Sequence, residues 1–243
     1  MKNSSEAHGK SHQLNDISVK YFFFHNTGDE KIVGDLYPQC KGMPTCMGLT
    51  SKWFEQPNSM TKLNNEDFPN FEPELIFELE DNAKLTDVVS PSNVSAKGFL
   101  INQKVRDIFS HFNLIEHRYY PAIIIVKGKK LPYYWLHFKD NNDFFLENID
   151  YEKSIFHVSN LAYMKINDVE INSYQEYIKF RKSLSMKYIS ASKLALTDEF
   201  KKKEFDLFYF GHMFLNCFIS LRLVEALKIH NVTGLDFNEQ NIL

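Results

Sequence analysis

The stretch CFISLRLVEALKIHNVTGLDF, Cys217 to Phe237, spells out a strand end, a polar cap, an amphipathic helix, a glycine exit and a closing strand. Ser220 stands where an N-cap is needed, so its hydroxyl can accept from an orphan N–H of the first turn. Leu223, Val224, Leu227 and Val232 follow at the three-four spacing that gives a helix one apolar stripe. Arg222 and Glu225 fall between them. Lys228 and His230 sit near the negative end of the helix dipole. Asn231 and Gly234 supply left-handed backbone for the exit, and Leu235 and Phe237 resume a period of two.

The same succession occurs upstream. With Asn102 set against Ser220, Val105 falls on Leu223, Ile108 on Ala226, Phe109 on Leu227, Asn113 on Asn231 and Leu114 on Val232. Either the unit is duplicated, at 98–114 and 217–232, or any strand–cap–helix unit of this length looks alike. On both readings the two units pack in one core.

The strand–Ser–helix–Thr233-Gly234-Leu235-Asp236-Phe237 ending resembles one family of bacterial polymorphic-toxin immunity proteins, formerly a domain of unknown function. So do Lys84-Leu85-Thr86-Asp87-Val88-Val89, the run Gly98-Phe99-Leu100-Ile101-Asn102 with its helix to Phe112, and the strand Tyr133-Tyr134-Trp135-Leu136-His137. The resemblance covers about Glu74 to Phe237. It does not reach the segment before Phe71, and it finds Asn102 where the family usually has Ser, a cap of equal quality. It implies a non-enzymatic protein that binds and neutralises a cognate toxin domain.

The chain has 243 residues, 44% hydrophobic and 24% charged, with a net charge of −3. That suits an ordinary globular protein and argues against a general nucleic-acid binder. Its 22 Phe and 12 Tyr predict an aromatic-rich core. The three cysteines give no disulfide framework, and Cys40 and Cys46 match no zinc spacing. Residues 1–15 are polar and carry no signal peptide; they are expected to be a disordered lead-in. Residues 16–243 are expected to form one domain, with a subdivision near 90. No apolar run is long enough to cross a bilayer, so a cytoplasmic protein is expected.

In chain order, Val19 to Phe24 predicts a strand and Lys31 to Leu36 its hairpin return. Tyr37 to Pro73 reads as irregular with one short helix. Between Asn64 and Ser90, Glu66, Asp67, Glu72, Glu74, Glu78, Glu80, Asp81 and Asp87 stand against Lys84 alone, a balance of −7 that leaves the remainder at +4. Leu75, Phe77 and Leu79 alternate there with Glu74, Glu78 and Glu80. This is either a solvated sheet edge or an acidic surface that docks a basic partner.

Pro121 to Val126 and Tyr133 to Lys139 predict a hairpin turning at Lys127–Lys130. Its return strand sets Tyr133, Trp135 and His137 on one face, as an exposed anchor patch or, alternatively, as core. Strands follow at Ser154 to Val158, Tyr163 to Ile166 and Val169 to Ile171, with a turn at Asn167-Asp168. Ser173 and Glu176 predict a capping box. Tyr188 to Leu196 and Phe205 to Phe210 predict later strands, with Lys201-Lys202-Lys203 as a solvated loop between them.

No phosphate loop, nucleophile elbow, metal-ligand pair of histidines or calcium loop is present. His137, His157 and His212 are isolated, and no catalytic, cofactor-binding or metal-binding residue is predicted. The expected fold is α+β, mostly antiparallel sheet with three or four packed helices. The expected partner is a toxin domain, with Glu78, Glu80, Asp81, Asp87, Tyr133, Trp135 and His137 as contact residues. The rival is an enzyme with dispersed acid–base residues acting on a nucleotide or a modified protein. A scaffold subunit is a third reading.

Overall fold

The computed structural model describes residues 20–42, 44, 47–162, 164–209, 213 and 217–239. In chain order the elements begin with β1 (Tyr21–Asn26), α1 (Glu30–Val33), β2 (Cys40–Lys41), β3 (Leu75–Leu79), β4 (Val88–Val89), β5 (Gly98–Ile101) and α2 (Gln103–Phe109). The middle contains β6 (His117–Val126), β7 (Lys129–Phe138), α3 (Asn142–Glu147), β8 (Ile155–Ser159), β9 (Lys165–Val169) and α4 (Tyr174–Ser183). The last part contains β10 (Tyr188–Lys193), α5 (Asp198–Lys201), β11 (Leu207–Tyr209), β12 (Cys217–Ser220), α6 (Leu221–Ile229) and β13 (Leu235–Glu239). The class is α+β. Six helices are present among the described residues, and α1 and α5 are single turns.

The strands form three sheets, ordered β11-β12-β1-β13, β10-β8-β9 and β2-β3-β6-β7-β5-β4. All the strand pairings within them are antiparallel except β3 with β6.

The two strand–cap–helix units form as their sequences dictate. Ser220 accepts from the Leu223 amide at 3.3 Å, and Asn102 from the Val105 amide at 3.1 Å. The likeness extends further. The order β6-β7-β5-β4 in one sheet matches β13-β1-β12-β11 in the other, strand for strand and antiparallel throughout. Ile101 pairs with Tyr134 as Ile219 pairs with Phe22, and Tyr119 pairs with Leu136 as Phe237 pairs with Phe24. The second half is therefore permuted, with the strand equivalent to β7 supplied by the start of the chain. Lys20 and Glu239 close that junction with an ion pair at 2.7 Å.

One aspartate anchors each cap and reaches across to the other half. Asp87 accepts from Asn102 Nδ2 at 2.7 Å and Lys104 Nζ at 2.8 Å, and also from the Thr233 amide at 2.8 Å. Asp206, fully buried, accepts from Ser220 Oγ, from Arg222 through Nε and Nη2, and from the Asn113 amide at 2.9 Å. Each acid thus ties its own helix start to the loop that follows the other unit's helix.

The six-stranded sheet is buried on both faces, and its side chains sort by a period of two. Phe99, Ile101, Leu136 and Phe138 enter the large core with β1, α2, α6 and the Phe145–Phe200–Phe208 group. Leu100, Tyr133 and Trp135 enter a second core with Phe77, Ile124, Trp53, Met60 and Leu63. Gly98 is required where β5 crosses Trp135: a Cβ there would lie 2.6 Å from the indole ring and closer still to the Leu136 carbonyl.

Several expectations are corrected. Lys31–Leu36 is not a return strand: Asp29 accepts from the Lys31 amide and starts α1, and β1 pairs instead with β12 and β13. Among its described residues the 37–73 segment holds β2 and the 3-10 turns Ser51–Glu55 and Met60–Lys62. β3 is not the sheet edge, because β2 covers it. Asn167-Asp168 lies within β9 rather than in a turn, and the lysine run begins as the last turn of α5. The helix carrying the apolar stripe ends at Ile229, before Val232. The hairpin turn is tighter than expected, with Lys127 at φ 49° and Gly128 at φ 79°. Those positive angles at both central residues are a type I′ signature. Ser173 caps its helix by accepting from the Glu176 amide, while the Glu176 carboxylate takes the amide of Asn172, one residue before the cap that a reciprocal box would use. Met1–Asn15, Cys46, Tyr163, Phe210 and His212 lie outside the described residues.

Candidate interaction surface

An acidic, apolar-dotted surface arises where the chain around α1 meets the turn after β3. Val33 is buried and holds the single turn down, while Ile32 on its other side stays exposed. Gly34 bridges Ala83, the Asp35 amide donates to the Asn82 carbonyl at 3.1 Å, and the Lys84 amide to the Val33 carbonyl at 2.7 Å. Behind them Gln39, fully buried, donates through Nε2 to the Lys84 carbonyl and accepts from the Ser90 amide. These bonds fix two segments, 29–37 and 80–85, against each other.

The pair exposes Ile32, Leu36, Tyr37 and Leu85, with Tyr37 at 60%. Asp29, Glu30, Asp35, Glu80 and Asp81 stand among them against Lys31 and Lys84, a balance of −3. Lys84 Nζ is directed to the Lys31 carbonyl. Exposed apolar groups set in a net negative charge suit a protein partner of the opposite sign.

The expected contact residues divide. Asp81 is exposed in the turn, and Glu80 is half-exposed beside it. Glu78 and Glu80 both pair with Lys41, at 3.4 and 3.5 Å. Burial opposes the Lys41 charge and the two glutamates outweigh it, so its pKa is raised. Asp87 serves its cap. Burial opposes its charge, but the bonds from Lys104, Thr233 and Asn102 hold its carboxyl below the usual range.

Tyr133, Trp135 and His137 do not form an exposed patch; all three are buried. Tyr133 donates to the Thr86 carbonyl at 2.6 Å, and burial pushes its phenol up. His137 Nε2 meets the Asn64 carbonyl at 2.7 Å, and the ring sits edge-on to Phe68. Burial lowers its pKa, the Asn64 carbonyl works against that, and Arg118 adds to it. The segment at 49–68, which has no periodicity of its own, is what covers this face.

Sequence reasoning missed Ile32, Leu36 and Tyr37. Nothing in their spacing marks them, because they become a surface only through pairing with residues fifty positions away. Chemistry stays sparse. Among the described residues no group of three or more His, Cys, Asp or Glu side chains could hold a metal ion. Cys40 and Cys217 are buried free thiols; burial pushes both up to about 12, with Glu80 adding to the first. Among the described residues no helix is long and apolar enough to cross a membrane.

No protein-family model matches the chain, and no curated protein matches it.

Proposed function

We propose that the chain is an immunity protein of the polymorphic-toxin type, acting in the cytoplasm, which binds a cognate toxin domain and blocks it without chemistry of its own. The observation that carries this reading is the acidic face formed by 29–37 and 80–85, with Tyr37 as its most exposed aromatic. A tyrosine anchor on a face of net negative charge fits a basic protein partner, since aromatic anchors supply affinity and matched charge supplies encounter rate. The sequence resemblance supplies the class of partner.

The test is affinity capture of the tagged chain from its own cells, with bound proteins identified by mass spectrometry, followed by growth rescue with the captured pair. A stoichiometric partner carrying a toxin-like domain supports the reading; a chain that returns alone sinks it. With the pair in hand, Glu30→Lys/Glu80→Lys/Asp81→Lys slows association by about tenfold or more at low salt, and the deficit shrinks as salt is added. Association unchanged at low salt removes this face from the interface.

One observation favours an enzyme as the second reading. The register of β10-β8-β9 sets Ser190, His157 and Asp168 abreast on neighbouring strands. They are not wired as a triad, however: Ser190 Oγ is bonded to Ser159 Oγ at 2.8 Å, and His157 Nδ1 has no hydrogen-bond partner. Under the binding reading, Ser190→Ala and His157→Gln leave protection intact. Loss of protection with toxin binding retained would favour the enzyme.

A further inference from the structure

The geometry points to a small-ligand pocket for an aromatic zwitterion, of the class of a free aromatic amino acid, between the ends of β6 and β7, α3 and the approach to β11. The cavity is about 260 Å³, a little under the size of drug-sized ligand sites and suited only to a small guest, and it shares no residue with the acidic face. Phe144 and Phe205 line it, both only half-buried, with ring centroids 6.5 Å apart at 88°. One ring can offer its face to a planar guest while the other offers its edge, the two favoured aromatic arrangements. Their inner sides are fixed by Phe200, 6.1 Å from Phe144 and 5.7 Å from Phe205. The floor is therefore preformed.

The rim carries both signs of charge. Glu116 and Lys139 sit side by side on one wall, joined by the Lys139 amide donating to the Glu116 carbonyl at 3.1 Å. Lys203 comes from the other chain segment that lines the pocket and has no ion pair among the described residues. Lys139 already meets Asp67 at 3.1 Å, so Lys203 is the cation left for a ligand. Asn141, at the start of α3, makes no capping bond with its side chain. A ring on the phenylalanine floor, an ammonium toward Glu116 and a carboxylate toward Lys203 and Asn141 would use each of these groups once. A simple anion would face Glu116 unpaired, and a simple cation would face Lys203.

The test uses the full chain, isotope-labelled, titrated with phenylalanine while backbone amide shifts are followed. Saturable shifts confined to Glu116, Lys139, Asn141–Phe145 and Lys203–Phe205 are expected. Hydrocinnamate, which lacks the amine, phenethylamine, which lacks the carboxylate, and alanine, which lacks the ring, each bind about tenfold more weakly or worse. Lys203→Gln weakens phenylalanine by about tenfold. Glu116→Gln abolishes the preference for phenylalanine over hydrocinnamate. Both substitutions are at exposed positions, and retained shift dispersion shows that the fold is intact. Non-saturable shifts, shifts centred elsewhere, equal binding of alanine, or an unchanged preference in Glu116→Gln each overturn the proposal. Toxin capture is unaffected by any of these outcomes, so the two tests fail separately.

Discussion

Asp206 and Arg222 form the most consequential pair in the molecule. The carboxylate is shut away from water while the guanidinium is half-exposed, so removing either partner strands a different group. Arg222→Ala leaves a buried charge with its hydroxyl and amide donors alone, a loss of about 3 kcal/mol or more in denaturant unfolding. Asp206→Ala strands Ser220 and the Asn113 amide and costs a comparable amount. The two are not additive, because they remove one interaction. Lys104→Ala, at the equivalent exposed position beside Asp87, costs under about 1 kcal/mol.

Acid sensitivity also belongs to single residues. Asp87 has a depressed pKa, so its stabilisation is complete above the unfolded value of about 3.9 and is lost as pH falls through the folded one. His137 is held neutral, so the unfolded chain takes up its proton first and stability falls as pH drops below about 6.5. His137→Gln should flatten the upper part of the acid limb and Asp87→Asn the lower part, as read from denaturant midpoints against pH. An unchanged limb in both variants contradicts these assignments. The sequence placed Tyr133, Trp135 and His137 on one face correctly, since alternation needs only the strand. It could not say that both faces are covered, because the cover on this one is an aperiodic segment docked from elsewhere.

At the scale of elements, local chemistry decided what was legible. The caps at Asn102, Ser173 and Ser220 could be read because each bond lies within three residues of its cap. The single turns α1 and α5 were not, because four residues carry too little periodicity to separate a turn of helix from a strand or loop. β9 was misread because Asn167-Asp168 has turn composition, and pairing with β8 overrides it. Gly98 and Gly128 separate two kinds of glycine requirement. At Gly128 open space surrounds the site and only the positive φ matters, so Gly128→Ala costs about 1 kcal/mol. At Gly98 a methyl group meets the Trp135 ring and the Leu136 backbone, so Gly98→Ala costs about 3 kcal/mol or prevents folding. Urea midpoints of the two variants rank them; equal midpoints would show that β5 can move away from β7.

For the whole molecule, the acidic bias of 64–90 was visible by counting, but its destination was not. Part of that charge is consumed by Lys41 and by the cap at Asn102. Asp67 is taken up by Lys139, and only Glu80 and Asp81 join the 29–37 segment to make the proposed face. The duplicated unit was legible over its strand, cap and helix. That it extends to matching four-stranded sheets was hidden, because one of the eight strands comes from the opposite end of the chain. The junction at Lys20 and Glu239 gives this arrangement a topological consequence. Phe22 lies beside Glu239 in the ladder, so the first and last of the described strands are already hairpin neighbours without a turn. Splicing Glu239 to Lys20 through a short Asn-Gly turn and reopening the chain between Lys127 and Gly128 would exchange the roles of the two halves. Such a circular permutant should unfold in one cooperative transition like its parent, and the protein would then have no fixed first strand.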